Sequence, residues 1–127
     1  MRLLLDTRVF LLAATASSKL GKPARDLIDA ADEAWVSAAS IWEVTHKLAI
    51  GRFDGDIDEV AKSIDASGFR NLPVTAQHAA AVARLPAYHT DPYDRLLIAQ
   101  ATTEPLRLLT LDPLLRRYSD LVIVAPS

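Results

Sequence analysis

The chain has 127 residues, half of them hydrophobic and 24% charged, which is the size and composition of one folded domain over residues 1–127. With a net charge of −2 it lacks an overall basic field for nucleic acid, and without cysteine it has neither disulfides nor thiolate metal ligands. The apolar segment 9–16 is far shorter than the roughly 20 residues of a membrane span, and Asp6 and Arg8 interrupt any signal peptide, so we expect a cytoplasmic protein.

Predicted strands and helices alternate along the chain, a pattern typical of βαβ units and a parallel sheet. In chain order they are a strand at 3–6, helices at 9–16 and 23–31, a strand at 34–37, helices at 39–50 and 57–66, a strand at 72–74, helices at 75–85 and 91–102, a strand at 106–110, a short helix at 113–118 and a strand at 121–124. Prolines in first helical turns and glycines after helix ends support these boundaries. The sequence therefore predicts an α/β fold.

Two carboxylates directly follow predicted strands. Asp6 comes after the apolar run 3–5, and Asp112 comes after the run 108–111. Open α/β sheets bind ligands at the carboxyl ends of their strands, which makes both residues candidate ligands. Each is equally suited to cap a helix, because Asp accepts hydrogen bonds from the free N–H groups of a first turn. The local sequence leaves both roles open.

Asp91 and Asp94 lie at the start of the helix at 91–102, with Pro92 between them. Pro92 is suited to the first helical position, because the N–H that proline lacks would have no partner there. The residue before it, Asp91, is then predicted to be the N-cap. Asp94 is then free to bind a metal, although an interaction with the helix dipole would also account for it. Asp94 is therefore the candidate ligand and Asp91 a second-ranked one.

Glu43 lies in the middle of the helix at 39–50, four residues before Lys47. Taken alone, an exposed Glu–Lys pair that slightly stabilises the helix is the simpler interpretation. The small residues 37–40 allow this helix to begin close to other backbone, which keeps Glu43 a candidate for the same site.

Asp6, Glu43, Asp94 and Asp112 together exceed what helix capping requires, and without a metal their mutual repulsion would raise their pKa values. Oxygen ligands select Mg²⁺ or Mn²⁺. Two such ions about 3.5–4 Å apart activate a water and stabilise the leaving oxygen in phosphodiester cleavage. Hydrolysis of a nucleic-acid backbone is the chemistry that such a site indicates.

Histidines and basic residues provide further candidates. His46 and His78 are predicted to lie on helix surfaces, and His89, in a loop near Asp91, is a candidate substrate contact. Four basic side chains are candidate phosphate contacts, with solvated surface charge as the alternative for each: Arg8, Lys47, Arg52 and Arg95.

The chain resembles the PIN-domain nucleases, and among them the VapC-type toxins of bacterial toxin–antitoxin modules. Four segments carry the resemblance, in the same order and spacing over nearly the whole chain: 3–7, 37–43, 91–99 and 109–112. It implies a three-layer α/β/α sandwich with a five-stranded parallel sheet. It also implies Mg²⁺- or Mn²⁺-dependent endoribonuclease activity, with the metal held by Asp6, Glu43, Asp94 and Asp112.

The resemblance extends to partners and to neighbours of the site. It implies a homodimer and a cognate antitoxin whose C-terminal segment covers the site, bound in an apolar groove formed partly by residues 9–14. Close relatives usually have His where this chain has Arg8, and Arg8 is suited to contact phosphate instead. Thr7 and Thr110 are predicted to orient metal ligands through hydrogen bonds.

Two other functions fit the sequence: a non-catalytic Mg²⁺-binding α/β interaction module and a stand-alone RNA-processing PIN nuclease. A phosphatase of the haloacid dehalogenase type is disfavoured, because its nucleophilic Asp requires a second Asp two residues later, where this chain has Arg8.

Overall fold

Five parallel strands form one sheet in the computed structural model, which describes residues 1–126. The strands are β1 (Arg2–Leu5), β2 (Glu33–Ser37), β3 (Arg70–Leu72), β4 (Arg107–Thr110) and β5 (Val122–Val124). Their order across the sheet is β3-β2-β1-β4-β5, and every neighbouring pair is parallel. The predicted five-stranded parallel sheet is confirmed.

Six α-helices connect the strands: α1 (Thr7–Ala14), α2 (Lys22–Ala30), α3 (Ala38–Ala49), α4 (Ile57–Ala66), α5 (Ala76–Ala81) and α6 (Pro92–Thr103). Two 3₁₀ helices, Val82–Arg84 and Pro113–Tyr118, complete the described secondary structure. Within residues 1–126, no helix combines the length and the apolar character that crossing a membrane requires.

The sheet has a hydrophobic core on each face, which makes the protein a three-layer α/β/α sandwich as predicted. Leu3 and Leu5 of β1 pack into one core with residues of α1, α2 and α4, whereas Leu4 packs into the other with residues of α6. All three leucines are fully buried. A continuous apolar strand is what burial on both faces demands, and this explains why β1 does not alternate apolar and polar residues.

Three predicted elements differ from the structure by two residues or more. The helix predicted at 9–16 is α1 at Thr7–Ala14, because Asp6 caps it and the helix begins at the next residue. The third strand is Arg70–Leu72 and not 72–74, because Pro73 lacks the N–H needed to continue the ladder. The helix predicted at 75–85 is the shorter α5 followed by a 3₁₀ turn.

The prediction that His78 lies on the surface is wrong, whereas His46 is exposed as predicted. His78 is only 1% exposed because its polar atoms have partners inside the protein. Its Nδ1 accepts from the Thr75 backbone N–H at 3.1 Å, its own N–H donates to the Thr75 hydroxyl, and Nε2 contacts the Glu104 carboxylate. The two bonds between His78 and Thr75 form a capping box at the start of α5.

Candidate active site

A cleft of about 600 Å³ opens at the carboxyl ends of β1 and β4, which we call the carboxylate cleft. β1 has β2 on one side and β4 on the other, so the strand order reverses here and a crevice is left between the connections. Thirteen residues line the cleft: Asp6, Thr7, Arg8, Leu11, Glu43, Lys47, Arg52, Phe53, Asp91, Asp94, Leu111, Asp112 and Pro113. The fold thus brings all four predicted metal ligands together, with Asp91 beside them.

Asp6 both caps α1 and faces the cleft. One carboxylate oxygen, Oδ1, accepts from the Val9 N–H at 2.8 Å, and the side chain is almost completely buried. Burial raises the pKa of Asp6 to about 6, the Thr110 hydroxyl and the Val9 N–H oppose that rise, and the charges of Asp94 and Glu43 add to it. The alternatives of cap and site residue therefore coexist in one side chain.

Glu43 is 7% exposed, so the predicted ion pair with Lys47 exists but its acidic partner is buried. Glu43 Oε2 lies 2.8 Å from Lys47 Nζ, and Oε1 accepts from the Thr7 hydroxyl at 2.7 Å. Thr7 Oγ1 also lies 2.9 Å from the hydroxyl of Ser40, which is fully buried. Small residues at the start of α3 allow it to approach α1 this closely, and the approach holds Glu43 at the cleft.

The first turn of α6 presents Asp94 to the cleft. Asp91 Oδ1 accepts from the N–H groups of Tyr93 and Asp94 at 2.9 and 3.0 Å, which confirms Asp91 as the N-cap. Burial raises the pKa of Asp94; a hydrogen bond from His89 lowers it, and the charges of Asp91 and Glu43 raise it further.

Asp112 combines capping with a place in the cleft in the same way as Asp6. Its Oδ1 accepts from the Leu114 N–H at 2.9 Å at the start of the second 3₁₀ helix, and its own N–H donates to the Thr110 hydroxyl at 3.0 Å. Thr110, predicted to hydrogen-bond near the site, thus orients the backbone of one acid while its hydroxyl lowers the pKa of another, Asp6.

His89 joins two of the acids. Its Nε2 lies 2.9 Å from Asp94 Oδ2, and His89, Asp94 and Asp112 each offer one ligand atom within 4.8 Å of the other two. These spacings suit a cation held by all three side chains. The pKa values of Asp6 and Asp94 are raised mainly by burial, to which the charges of neighbouring acids add, and a bound cation would favour the ionised form of both. The donor set therefore fits a divalent metal ion.

The sequence predicted His89 only as a substrate contact, five residues before Asp94 in a loop. Its closeness to Asp94 was the available signal, but the loop conformation that turns the imidazole toward Asp112 has no local signature. Asp6 and Glu43 line the same cleft outside this three-residue group.

The predicted basic residues divide into two groups. Arg8, Lys47 and Arg52 line the carboxylate cleft, and Lys47 is paired with Glu43. Arg95 does not line the cleft, and its guanidinium instead donates to the carbonyls of Pro86 at 2.8 Å and of His89 and Val82 at 3.4 Å. Arg95 therefore has a structural role in ordering the loop that carries His89, because these backbone acceptors engage its donors.

Residues 3–121 match the family model described as the PIN domain. The chain belongs to the PIN domain family. The family resemblance predicted from the four sequence segments is thereby confirmed, and PIN domains are nucleases. The matched range contains every acid of the carboxylate cleft.

Solved structures share the fold of this PIN domain at low sequence identity. VapBC2 from Rickettsia felis, bound to a DNA fragment from its promoter, matches with a TM-score of 0.69 and 14% identity over 100% of this chain and 99% of that chain. A toxin–antitoxin complex from Klebsiella pneumoniae matches at 0.67 and 16%, covering 95% of each chain. FitAcB from Neisseria gonorrhoeae matches at 0.66 and 20%, covering 98% of this chain and 97% of that one. No curated protein matches the sequence.

Proposed function

We propose that this PIN domain is a metal-dependent endoribonuclease and the toxin of a toxin–antitoxin pair. One observation carries the enzymatic part: Asp6, Glu43, Asp94 and Asp112, from four separate parts of the fold, line a single cleft in which burial raises the pKa of two of them. A protein that buries several carboxylates together loses stability unless their charges are compensated. Mg²⁺ or Mn²⁺ supplies that compensation.

Each acid of the cleft has a role in this proposal. Asp94 and Asp112 would hold the cation together with His89, and Asp6 would be a further ligand, with Asp91 fixing the turn that presents Asp94. The chemistry that such a cation would supply is activation of a water and stabilisation of the oxygen that leaves the scissile phosphate. Glu43 is a further ligand or accepts the proton of the attacking water, held in place by Thr7 and Lys47.

Basic residues at the same cleft support a polyanionic substrate. Arg8 and Arg52 are exposed, line the cleft and form no ion pair within residues 1–126. We assign Arg8 and Lys47 to contacts with RNA phosphates, with Arg52 beside them. Their local positive charge lets a protein of net charge −2 bind RNA at one surface.

The toxin assignment rests on the structural neighbours and on a groove in this chain. Neighbouring structures contain toxin–antitoxin complexes. Here a mostly apolar groove of about 410 Å³ lies between α1 and α4, and two of its lining residues, Leu11 and Phe53, also line the carboxylate cleft. An antitoxin segment bound in this groove would thus extend directly to the site, as the sequence resemblance implies. The homodimer that the resemblance implies remains part of the same proposal.

The experiment is RNA cleavage by the purified protein with Mn²⁺, with Mg²⁺ and with EDTA. We expect cleavage only with metal, a loss of about 100-fold or more in Asp6→Asn and Asp94→Asn, and wild-type rates in Asp120→Asn, which changes an exposed acid outside the cleft. If the two cleft variants cut as fast as wild type, the site assignment fails. Metal binding in calorimetry without turnover would instead support a non-catalytic module.

The toxin assignment needs its own test. We expect a small open reading frame beside the gene to encode a protein that copurifies with this chain and inhibits its RNA cleavage. Variants in the groove, such as Val60→Glu, should cleave RNA normally but escape inhibition. Active nuclease without such a partner would favour a stand-alone RNA-processing enzyme.

A further inference from the structure

An aromatic pair stands beside the carboxylate cleft. Trp42 is 63% exposed, more than any other large hydrophobic residue among residues 1–126. Its ring centroid lies 5.3 Å from that of Tyr93, with an interplanar angle of 73°. The indole therefore packs edge to face against one neighbour and leaves most of its surface in water.

The backbone fixes this pair next to two of the acids. Trp42 immediately precedes Glu43 on α3, and Tyr93 immediately precedes Asp94 on α6. His46, one helical turn after Trp42, places its Nδ1 3.0 Å from the Tyr93 hydroxyl. Tyr93 is thus held by both Trp42 and His46, and the pair is an ordered platform rather than two independent side chains.

The chemistry of the surroundings favours a nucleobase as the occupant. Bases of single-stranded RNA stack on aromatic side chains, and each stacked base strengthens binding. Lys47, on the same helix, and Arg8, at the start of α1, provide positive charge for the adjoining phosphates. One indole and one phenol match the size of a base, whereas a stable protein interface buries about 800 Å² on each partner.

We propose that Trp42 and Tyr93 form a nucleobase-binding subsite that holds the base next to the phosphate bound in the carboxylate cleft. This inference rests on the proposed ribonuclease function and adds to it a site that positions the RNA chain. Because every base has an aromatic face, stacking here contributes affinity and register with little dependence on base identity.

The test uses Trp42 as its own reporter. The chain contains two tryptophans, and Trp35→Phe leaves Trp42 as the only one. A short single-stranded RNA is added stepwise to this protein in a buffer that contains Ca²⁺. Gel analysis establishes that the RNA stays intact. We expect the emission of Trp42 to be quenched on binding. We also expect Trp42→Ala to weaken RNA binding about 5- to 150-fold and Trp42→Phe to recover part of the loss.

Ile50→Ala is the matched control, because Ile50 directly follows the last residue of α3, is also apolar and is 54% exposed. It should bind RNA as wild type does. Wild type and Trp42→Ala are then compared on a series of RNAs that each lack one base. Loss of the base that stacks on Trp42 should weaken RNA binding by wild type but leave RNA binding by Trp42→Ala unchanged.

Three results would overturn the subsite. The first is that Trp42→Ala binds intact RNA as tightly as wild type. The second is that every abasic position weakens RNA binding equally in wild type and in Trp42→Ala. The third is that wild type sediments as a dimer and Trp42→Ala as a monomer, with RNA binding unchanged. The last result would make this surface a contact between copies of the chain. Wild-type protein that neither binds nor cleaves RNA with Mn²⁺ would refute the proposed function itself, which is a separate outcome.

Discussion

The Thr7 hydroxyl donates a 2.7 Å hydrogen bond to Glu43 Oε1 and thereby joins the first residue of α1 to the middle of α3. The two residues are 36 positions apart in the chain, and both are buried. Since Lys47 engages the other oxygen of Glu43, the carboxylate is held from two sides. Thr7 therefore positions an acid of the site without itself contributing charge.

Thr7→Val should remove this bond at nearly constant volume. The buried Glu43 oxygen would lose its donor, which costs about 1–3 kcal/mol of folding free energy, and cleavage should fall because the carboxylate is no longer oriented. Thr7→Ser retains the hydroxyl and is the control. Urea denaturation and single-turnover cleavage measure the two effects. Equal stability and activity in Thr7→Val and wild type would contradict the positioning role.

Asp6→Asn should stabilise the metal-free protein at neutral pH. In the folded protein the pKa of Asp6 is raised from 3.8 to about 6, so between these values the native state binds more protons than the unfolded state. The ionised form of Asp6 therefore destabilises the folded state. This destabilisation is absent below pH 4, grows as the pH rises to 6 and is complete above pH 6. A shift of about two units corresponds to about 3 kcal/mol. Asn keeps the oxygen that accepts from Val9.

The measurement is the free energy of unfolding of both proteins in EDTA between pH 4 and pH 8. We expect the advantage of Asp6→Asn to increase with pH and to reverse when Mn²⁺ is added, because the ion stabilises only the native state that it binds. A difference that does not change with pH would show that the charge of Asp6 is not its cause.

His89→Ala should change metal preference. In the group formed by His89, Asp94 and Asp112, His89 is the nitrogen donor. Mg²⁺ strongly prefers oxygen, whereas later transition-metal ions accept imidazole. The variant should therefore lose about tenfold or more in Zn²⁺ affinity and little in Mg²⁺ affinity. Calorimetry with each ion decides the matter, with His46→Ala as the control on an exposed histidine. An equal loss for both ions would assign His89 to loop structure instead.

Arg8→Ala and Arg95→Ala should separate substrate contact from structure. Arg8→Ala should weaken RNA binding and reduce its salt dependence, with stability unchanged to within about 0.5 kcal/mol. Arg95→Ala removes hydrogen bonds to the carbonyls of Pro86 and His89 and should cost about 1–3 kcal/mol. Binding isotherms at several salt concentrations and urea denaturation measure both variants. The opposite pattern would restore Arg95 as the phosphate contact.

Local sequence signals were sufficient for the elements and for several roles at their ends. The apolar run of β1, the capping Asp91 and the acids after β1 and β4 all follow from interactions within one helical turn or one strand. The reversal of strand order between β2 and β4 then brings Asp6 and Asp112 to one crevice. Because the carboxyl ends of parallel strands lie at one edge of the sheet, the sequence was enough to predict that these two acids would be close together.

Tertiary packing decided what no local pattern encodes. Glu43 is buried because α3 packs against Thr7, His89 faces Asp94 and Asp112 because Arg95 holds its loop, and His78 is buried because Glu104 lies beside it. Each outcome depends on atoms that are distant in sequence or on the path of an irregular loop. Helix and strand propensity and the spacing of apolar residues depend only on neighbours along one helix or strand. The sequence by itself therefore determined which acids lie at the edge of the sheet. Packing between distant parts of the chain determined which side chains surround those acids.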